Sequence, residues 1–218
     1  MPSDLAAKSN VYRFLGRLWS REVDGPVLAL LRSGELADAY RAAGGVGPGE
    51  GDDPIVLEAL ALDYCQLFVG PSHPLPPYQS VWTSGQFQGG PVASMERYFD
   101  VLGYRPPWTD STRHRIETGQ PRKLMLDHLG IQLDGFGHAL AALSALGEGN
   151  EAVEHGLREV ASSFFRDHLT WPGRLLRVAR ARAGTDFYRG LIAVTDEFLA
   201  AEAGEWAEVR PDPVEGDG

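Results

Sequence analysis

The feature that most constrains the fold is a long helical pattern in the middle of the chain, from Arg122 to Leu146. Apolar side chains recur there at steps of three and four, which places them in one stripe of a helix that turns about 100° per residue. The stripe consists of Leu126, Leu129, Leu133, Phe136, Leu140 and Leu143. A stripe of this width needs a partner surface, so the pattern predicts a central helix packed into a core.

A second face of the same helix carries polar side chains. Asp127, Asp134 and His138, with Ile131 among them, fall within about 60° of one another and roughly 160° from the leucine stripe. Such a face either presents a polar site or is the solvated back of a surface helix. Periodicity alone favours the solvated back, because polar side chains are usually exposed.

Helical spacing dominates the rest of the chain as well, and no stretch alternates apolar and polar residues as a half-buried strand would. Further helices are predicted at about residues 5–20, 26–31, 35–43, 54–69, 92–102, 151–169, 171–183 and 185–203. The sequence therefore predicts an all-α, single-domain bundle of about eight to ten helices over residues 1–204. Residues 205–218 are acidic and rich in proline and glycine, so we expect a flexible tail there.

The net charge of the chain limits its partners. At −10, with an isoelectric point near 5.0, the chain would repel nucleic acid and an anionic membrane surface, and it would attract a basic peptide. Acidity can also serve only to keep a protein in solution, and this alternative stays open.

The N-terminus and the cysteine content suggest the compartment. The N-terminus has no apolar segment typical of a signal peptide, and the chain has no run of about eighteen apolar residues. We therefore expect a soluble, cytoplasmic protein without stable membrane insertion. Cys65 is the single cysteine, which excludes an intrachain disulfide and a cysteine zinc site, and we expect it to be a small buried hydrophobic residue.

A proline-rich loop follows the predicted helix that contains Cys65, and its prolines exclude a regular helix before Ser80. The loop can be a connector that proline makes rigid, with aromatic anchors in the core. It can also wall a groove, because proline and aromatic surfaces bind extended or helical peptides at low entropic cost. The residues of such a groove would be Pro76, Pro77, Tyr78 and Trp82.

No arrangement of residues in the sequence requires catalysis. Asp134 and His138 lie four residues apart and could share a metal ion, but a metal site needs three or four ligands and such pairs are usually surface residues. Neither a G-x-S-x-G turn nor a G-x-x-x-x-G-K-[ST] phosphate loop is present. We therefore expect no catalytic residue, no metal and no cofactor.

Five sequence blocks in order carry a family resemblance. They are L-D-Y-C-Q-L-F-V-G-P (62–71), P-P-Y-Q-S-V-W (76–82), L-D-H-L-G-I-Q-L (126–133), D-H-L-T-W (167–171) and F-Y-R-G-L (187–191). Together they resemble the successive signatures of the TorD/DmsD family of redox-enzyme maturation chaperones. The resemblance covers most of the chain from about residue 55 to residue 200.

This resemblance implies an all-helical cytoplasmic chaperone that binds the twin-arginine leader and the apo form of a molybdopterin oxidoreductase. Such a chaperone assists cofactor insertion and delays export until the enzyme is mature. The family's leader-binding positions fall on Pro76, Pro77, Tyr78, Ser80, Val81, Trp82, Asp127 and His128. A carboxylate at Asp127 could pair with a leader arginine in a fork, since guanidinium and carboxylate match in geometry.

Two alternatives to this function stay open. One is an assembly factor of the NarJ type, which would recognise a cytoplasm-facing subunit without a twin-arginine leader. The other is a nucleotide hydrolase, since some members of the family are reported to bind guanine nucleotides. The sequence leaves open whether the chain is a monomer or a dimer that exchanges helices.

The chain departs from the family pattern at several places. Gln79 stands where many members have glutamate or glycine, and Gln132 stands where they have glutamate, so charges are missing at both. Gly135 and Gly137 replace bulkier residues, and each glycine costs a helix about 1 kcal/mol relative to alanine. These two glycines therefore suggest a close approach or a kink.

Overall fold

The structure, a computed structural model, describes residues 2–87, 89–106, 124–146 and 149–207. Within these ranges the chain forms ten α-helices, one π-helix and no β-strand, which confirms the all-α prediction. The helices are α1 (Pro2–Ser20), α2 (Gly25–Arg32), α3 (Glu35–Ala42), α4 (Asp53–Tyr64), α5 (Gln79–Ser84), α6 (Gly90–Leu102), α7 (Leu129–Ser144), α8 (Glu151–His168), α9 (Gly173–Arg182) and α10 (Asp186–Trp206). The π-helix Cys65–Val69 continues α4.

Helix α7 lies at the centre of the core, as its leucine stripe predicts. Phe136 is fully buried, and its ring meets Tyr12 of α1 at a centroid distance of 4.8 Å and Phe165 of α8 at 5.5 Å. Trp206 of α10 contacts the same ring edge-on at 5.5 Å. Aromatic pairs in this geometry add to the free energy gained from apolar burial.

The predicted start of the central helix is wrong. Helix α7 begins at Leu129, not at residue 121 or 122, and residues 124–128 form an irregular segment and a turn. His128 is the N-cap, and its imidazole Nδ1 accepts a hydrogen bond from the Gly130 amide over 3.0 Å. A side chain that accepts from the first turn stabilises a helix end in this way.

The solvated back that periodicity favoured for α7 is also wrong. Ile131 is fully buried and Asp134 is only 6% exposed, because α1 packs along this side of α7. The Asp134 carboxylate accepts a hydrogen bond from the Tyr104 hydroxyl, and its other oxygen lies 3.6 Å from Arg13 Nε. Burial of the Tyr104 phenol, with the Asp134 charge beside it, raises the pKa of Tyr104.

Glycines explain how α1 approaches α7 so closely. A Cβ atom at Gly16 would lie 2.7 Å from the Gly130 carbonyl oxygen, and a Cβ at Gly137 would lie 3.0 Å from the Ser9 carbonyl oxygen. Ser9 Oγ also donates to the Gly137 carbonyl over 2.7 Å. Gly135 faces the ring of Phe99 instead. Gly135 and Gly137 therefore mark close approaches, which is one of the two interpretations that the sequence suggested.

Three smaller predictions change at helix ends. Pro54 in the first turn predicts Asp53 as the N-cap of α4, but the N-cap is Asp52, and Cys65 is half-buried rather than buried. Helix α10 continues to Trp206, which is 1% exposed, so the predicted tail cannot begin at residue 205. The rest of that tail, 208–218, lies outside the described residues.

Asp63, in the first sequence block, joins α4 to the start of α10. Its carboxylate accepts hydrogen bonds from the amides of Gly184 at 2.9 Å and Thr185 at 2.8 Å, and from the Thr185 hydroxyl at 2.6 Å. The sequence offers Thr185 or Asp186 as the cap of α10, and the cap is Thr185, whose Oγ1 accepts from the Tyr188 amide. Among the described residues, none of the helices is long and apolar enough to cross a membrane.

Candidate functional site

The proline loop and the segment before α7 are paired at one point. The Leu129 amide donates to the Pro77 carbonyl over 2.8 Å, and the Gln79 amide donates to the Asp127 carbonyl over 3.0 Å. These two bonds form an isolated antiparallel bridge between Tyr78 and His128. The structure thus brings together the two groups of residues that the resemblance implied for one site.

Asp127 lies inside this pairing. It is fully buried, and its Oδ2 accepts from the Ser80 amide over 2.9 Å, so it stabilises the first turn of the short helix α5. Its predicted place on an exposed face of the central helix is therefore wrong, because Asp127 precedes α7 and lies under the loop. Pairing of Asp127 with a leader arginine stays a prediction.

His128 is buried with Asp127. Its ring packs edge-on against Tyr78, with centroids 5.0 Å apart and planes at 80°, while its Nδ1 accepts the α7 amide described above. His128 and Tyr78 are 1% and 8% exposed. These two side chains therefore hold the loop against the start of α7.

The predicted site residues divide into two sets. We call Pro77, Tyr78, Ser80, Asp127 and His128, which are all buried, the inner residues. The outer residues are Pro76, Val81 and Trp82, which are half-buried. Trp82 Nε1 donates to the Pro76 carbonyl over 2.9 Å, and the guanidinium of Arg174 lies 5.9 Å from the centre of its ring. The outer residues are thus a small apolar surface on a fixed loop.

A chain of polar side chains connects the loop to α7, α8 and the start of α9. The indole Nε1 of Trp171 can only donate, and it donates to Gln132 Oε1 over 2.9 Å. Gln132 Nε2 must then donate to Gln79 Oε1, 2.7 Å away. The side-chain nitrogen of Gln79, Nε2, donates in turn to the Asp167 carbonyl over 2.6 Å. We call this chain, with His168 and Ser94, the glutamine network.

The directions of these bonds determine the tautomer of His168. Since Gln79 Oε1 is an acceptor, His168 Nδ1, which lies 2.8 Å from it, carries the proton. His168 Nε2 then accepts from Ser94 Oγ over 3.0 Å. Burial disfavours the charged ring and lowers the pKa of His168 to about 4, although the charge of Asp167 opposes this shift. His168 is therefore a neutral, structural histidine near pH 7.

The network explains both glutamine departures together. Gln79 and Gln132 are hydrogen-bonded to each other, and both are buried. Two glutamates at these positions would place two buried carboxylates against each other and would need a shared proton or a cation. Two amides satisfy each other without charge. Sequence reasoning missed this network, although the D-H-L-T-W block contained three of its members, Asp167, His168 and Trp171.

An open cleft of about 850 Å³ lies beside the inner residues, between α6 and the segment that leads to Asp127. Its apolar lining includes Val92, Ala93 and residues 124–126. Asp100 and Arg105 of the lining pair with each other over 3.0 Å, so Glu96 contributes the carboxylate that remains unpaired among the described lining residues. The cleft can therefore accept an apolar ligand that carries positive charge. Among the described residues, no three histidine, cysteine or acidic side chains converge as a metal site would require.

Comparison with known proteins identifies the family to which this chain belongs. A sequence model of the family described as nitrate reductase delta subunit matches residues 33–177, which is more than half of the chain. The chain therefore belongs to this family of redox-enzyme maturation chaperones, as the five sequence blocks indicated. It is a chaperone of molybdoenzyme maturation. The chain is also 26% identical over 214 residues to the chaperone protein YcdY of Escherichia coli strain K12. The aligned region covers 93% of this chain and 96% of YcdY.

Proposed function

We propose that this chaperone acts in the cytoplasm, where it binds the twin-arginine leader and the apo form of a molybdopterin oxidoreductase. It would assist cofactor insertion and delay export until the enzyme is mature. The observation that carries the proposal is the pairing of the proline loop with the Asp127–His128 segment beside an open, largely apolar cleft. The two implied binding segments are neighbours, and the cleft next to them is large enough for several side chains.

The chemistry of the cleft and of the outer residues suits a leader of this type. A twin-arginine leader combines guanidinium groups with apolar residues. The apolar lining would take the apolar residues, Glu96 would attract a guanidinium, and Trp82 would pack against an aromatic or aliphatic side chain. The net charge of −10 would attract the basic leader over distance. The inner residues, Asp127 included, would hold the loop in place rather than touch the leader in this conformation.

The test is fluorescence anisotropy with a labelled leader peptide of the S-R-R-x-F-L-K type. We expect micromolar or tighter binding, and we expect Trp82→Ala to weaken it about tenfold through the loss of aromatic contact. Val153→Ala is the matched control, since it truncates an exposed apolar residue of α8. If both variants bind as the parent does, the outer residues are not the leader site.

The same assay separates the two chaperone types. A peptide in which lysines replace both arginines keeps the charge but loses the planar fork, and we expect it to bind about tenfold more weakly. The family description, nitrate reductase delta subunit, is the observation that keeps the NarJ type as the second candidate. Equal binding of the two peptides would exclude twin-arginine recognition and favour that candidate. Guanine nucleotide binding remains a prediction.

A further inference from the structure

Helix α9 carries a basic surface in an acidic chain. Its ten residues, G-R-L-L-R-V-A-R-A-R, include four arginines and no acidic residue, whereas the whole chain has a net charge of −10. A basic leader peptide would be repelled by the exposed arginines of this helix, so an occupant of the opposite charge suits them better.

Two of the four arginines have structural roles. Arg174 packs over the ring of Trp82, and Arg182 donates to the His73 carbonyl over 2.8 Å. Arg177 and Arg180 are exposed, and neither forms a hydrogen bond or an ion pair with any residue that the structure describes. Their guanidinium groups are therefore available to a ligand.

Arg177 and Arg180 line a groove of about 710 Å³ between α9 and α10. Arg189 of α10 is the third arginine of the lining, although it already pairs with Asp186 and donates to the Ala183 carbonyl. Apolar lining comes from Leu176 and Ile192, while Asp196 is the one carboxylate among the described lining residues. Leu176 and Ile192 are each only 1% exposed, so the apolar area that a ligand can reach comes from Ala181 and the arginine stems. The groove therefore combines an excess of positive charge with this apolar area.

We propose that this arginine groove is a docking surface for a segment of a partner protein that carries both acidic and apolar side chains. Carboxylates of the segment would pair with Arg177 and Arg180 in the planar fork that guanidinium allows. Apolar side chains of the segment would pack on the exposed Ala181 and on the arginine stems, which a simple anion would leave uncovered. The contact of Arg174 with Trp82 places the groove next to the outer residues, so one client could occupy both surfaces with segments of opposite charge.

The test uses a short fluorescein-labelled peptide of glutamate and leucine at helical spacing, with fluorescence anisotropy as the readout. The test variant is Arg177→Glu/Arg180→Glu. The matched control is Arg97→Glu/Arg158→Glu, which changes the net charge equally at α6 and α8. A second peptide with serine in place of leucine tests the apolar contacts with Ala181 and the arginine stems, and inorganic pyrophosphate serves as a competing small anion.

We expect the glutamate–leucine peptide to bind, the α9 variant to weaken binding about tenfold, and the control to change it less than about twofold. The serine peptide should bind at least about fivefold more weakly. An equal loss of peptide affinity in the α9 variant and in the control would show that net charge alone causes the effect, and it would overturn the proposal. Equal binding of the serine peptide, or displacement by pyrophosphate at the peptide's own concentration, would overturn it in favour of a simple anion site. Circular dichroism of each variant excludes misfolding as the cause.

Discussion

Helix α7 is held on two sides by opposite means. Toward α1 the contact depends on glycine, because Gly16 and Gly130 have no side chain and let the two backbones approach directly. Toward the loop, α8 and α9, it depends on polar side chains, since Gln132 joins Gln79 and Trp171 through directed hydrogen bonds. Close backbone contact tolerates no added atom, whereas a buried polar network tolerates no unmatched donor, acceptor or charge.

The comparison predicts that different changes will destabilise the two contacts. The glycine contact should fail when volume is added, whatever the pH. The glutamine network should respond to protonation and to changes of hydrogen-bonding groups that leave volume nearly unchanged. The predictions that follow test the two contacts in these different ways.

The largest effect is expected from Gly16→Ala. The new Cβ would lie 2.7 Å from the Gly130 carbonyl oxygen and 2.9 Å from the Asp134 amide nitrogen, and neither backbone atom can move without separating the helices. We expect the free energy of unfolding to fall by about 3 kcal/mol in urea denaturation, as for a severe case of overpacking.

Gly156→Ala in α8 is the matched control. A Cβ there has no neighbouring atom within 4 Å, so the higher helix propensity of alanine should raise the free energy of unfolding by about 0.5–1 kcal/mol. A gain in stability from both substitutions would show that α1 and α7 are not in close backbone contact.

The second effect concerns pH and His168. Its folded pKa, about 4, is lower than the ordinary value of 6.5, so the unfolded chain binds the proton more readily. The stability that this histidine contributes is complete above pH 6.5 and is lost as the pH falls toward 4. Between pH 7 and pH 5 we expect the free energy of unfolding to fall by about 2 kcal/mol from this group alone.

Substitution of His168 distinguishes its contribution to this pH dependence from that of other groups in the protein. His168→Gln should remove most of the decline between pH 7 and pH 5, whatever its cost in stability at pH 7. His155→Gln, at an exposed position of α8, should leave the decline unchanged. An unaltered decline in His168→Gln would mean that His168 titrates normally in the folded protein.

The smallest effect is expected from Asp127→Asn. The amide oxygen can still accept from the Ser80 amide, but the charge that strengthens this bond to α5 is lost. We expect a loss of about 1 kcal/mol in the free energy of unfolding, whereas the exposed control Glu197→Gln should change little. In the leader assay, a twofold or smaller change in Asp127→Asn would support a positioning role, and a large loss would support direct contact with arginine.

Much of the fold could be predicted because the helical pattern is strong. The apolar stripe identified α7 as the central helix, and Thr185 was one of the two residues predicted as the cap of α10. The start of α7 could not be predicted, since residues 122–128 continue the helical pattern. The structure instead has Asp127 bonded to the proline loop and His128 as the N-cap. The burial of Asp134 was missed for a related reason: periodicity does not reveal that α1 covers a polar face.

The candidate site was predicted as a set of residues but not as a structure. Resemblance to the family supplied the two segments, and the structure adds that they are hydrogen-bonded neighbours. The division into inner and outer residues could not be predicted, because the side that faces the core depends on contacts between distant parts of the chain. The glutamine network was missed for the same reason, since Gln79, Gln132 and His168 are far apart in sequence.

The bridge between Tyr78 and His128 has a topological consequence. It closes a large ring of backbone, and both walls of the cleft, α6 and residues 124–126, belong to that ring. A guest that forces the walls apart therefore pulls on the bridge, and the bridge adjoins the N-cap of α7. Occupancy of the cleft is in this way connected mechanically to the helix at the centre of the molecule.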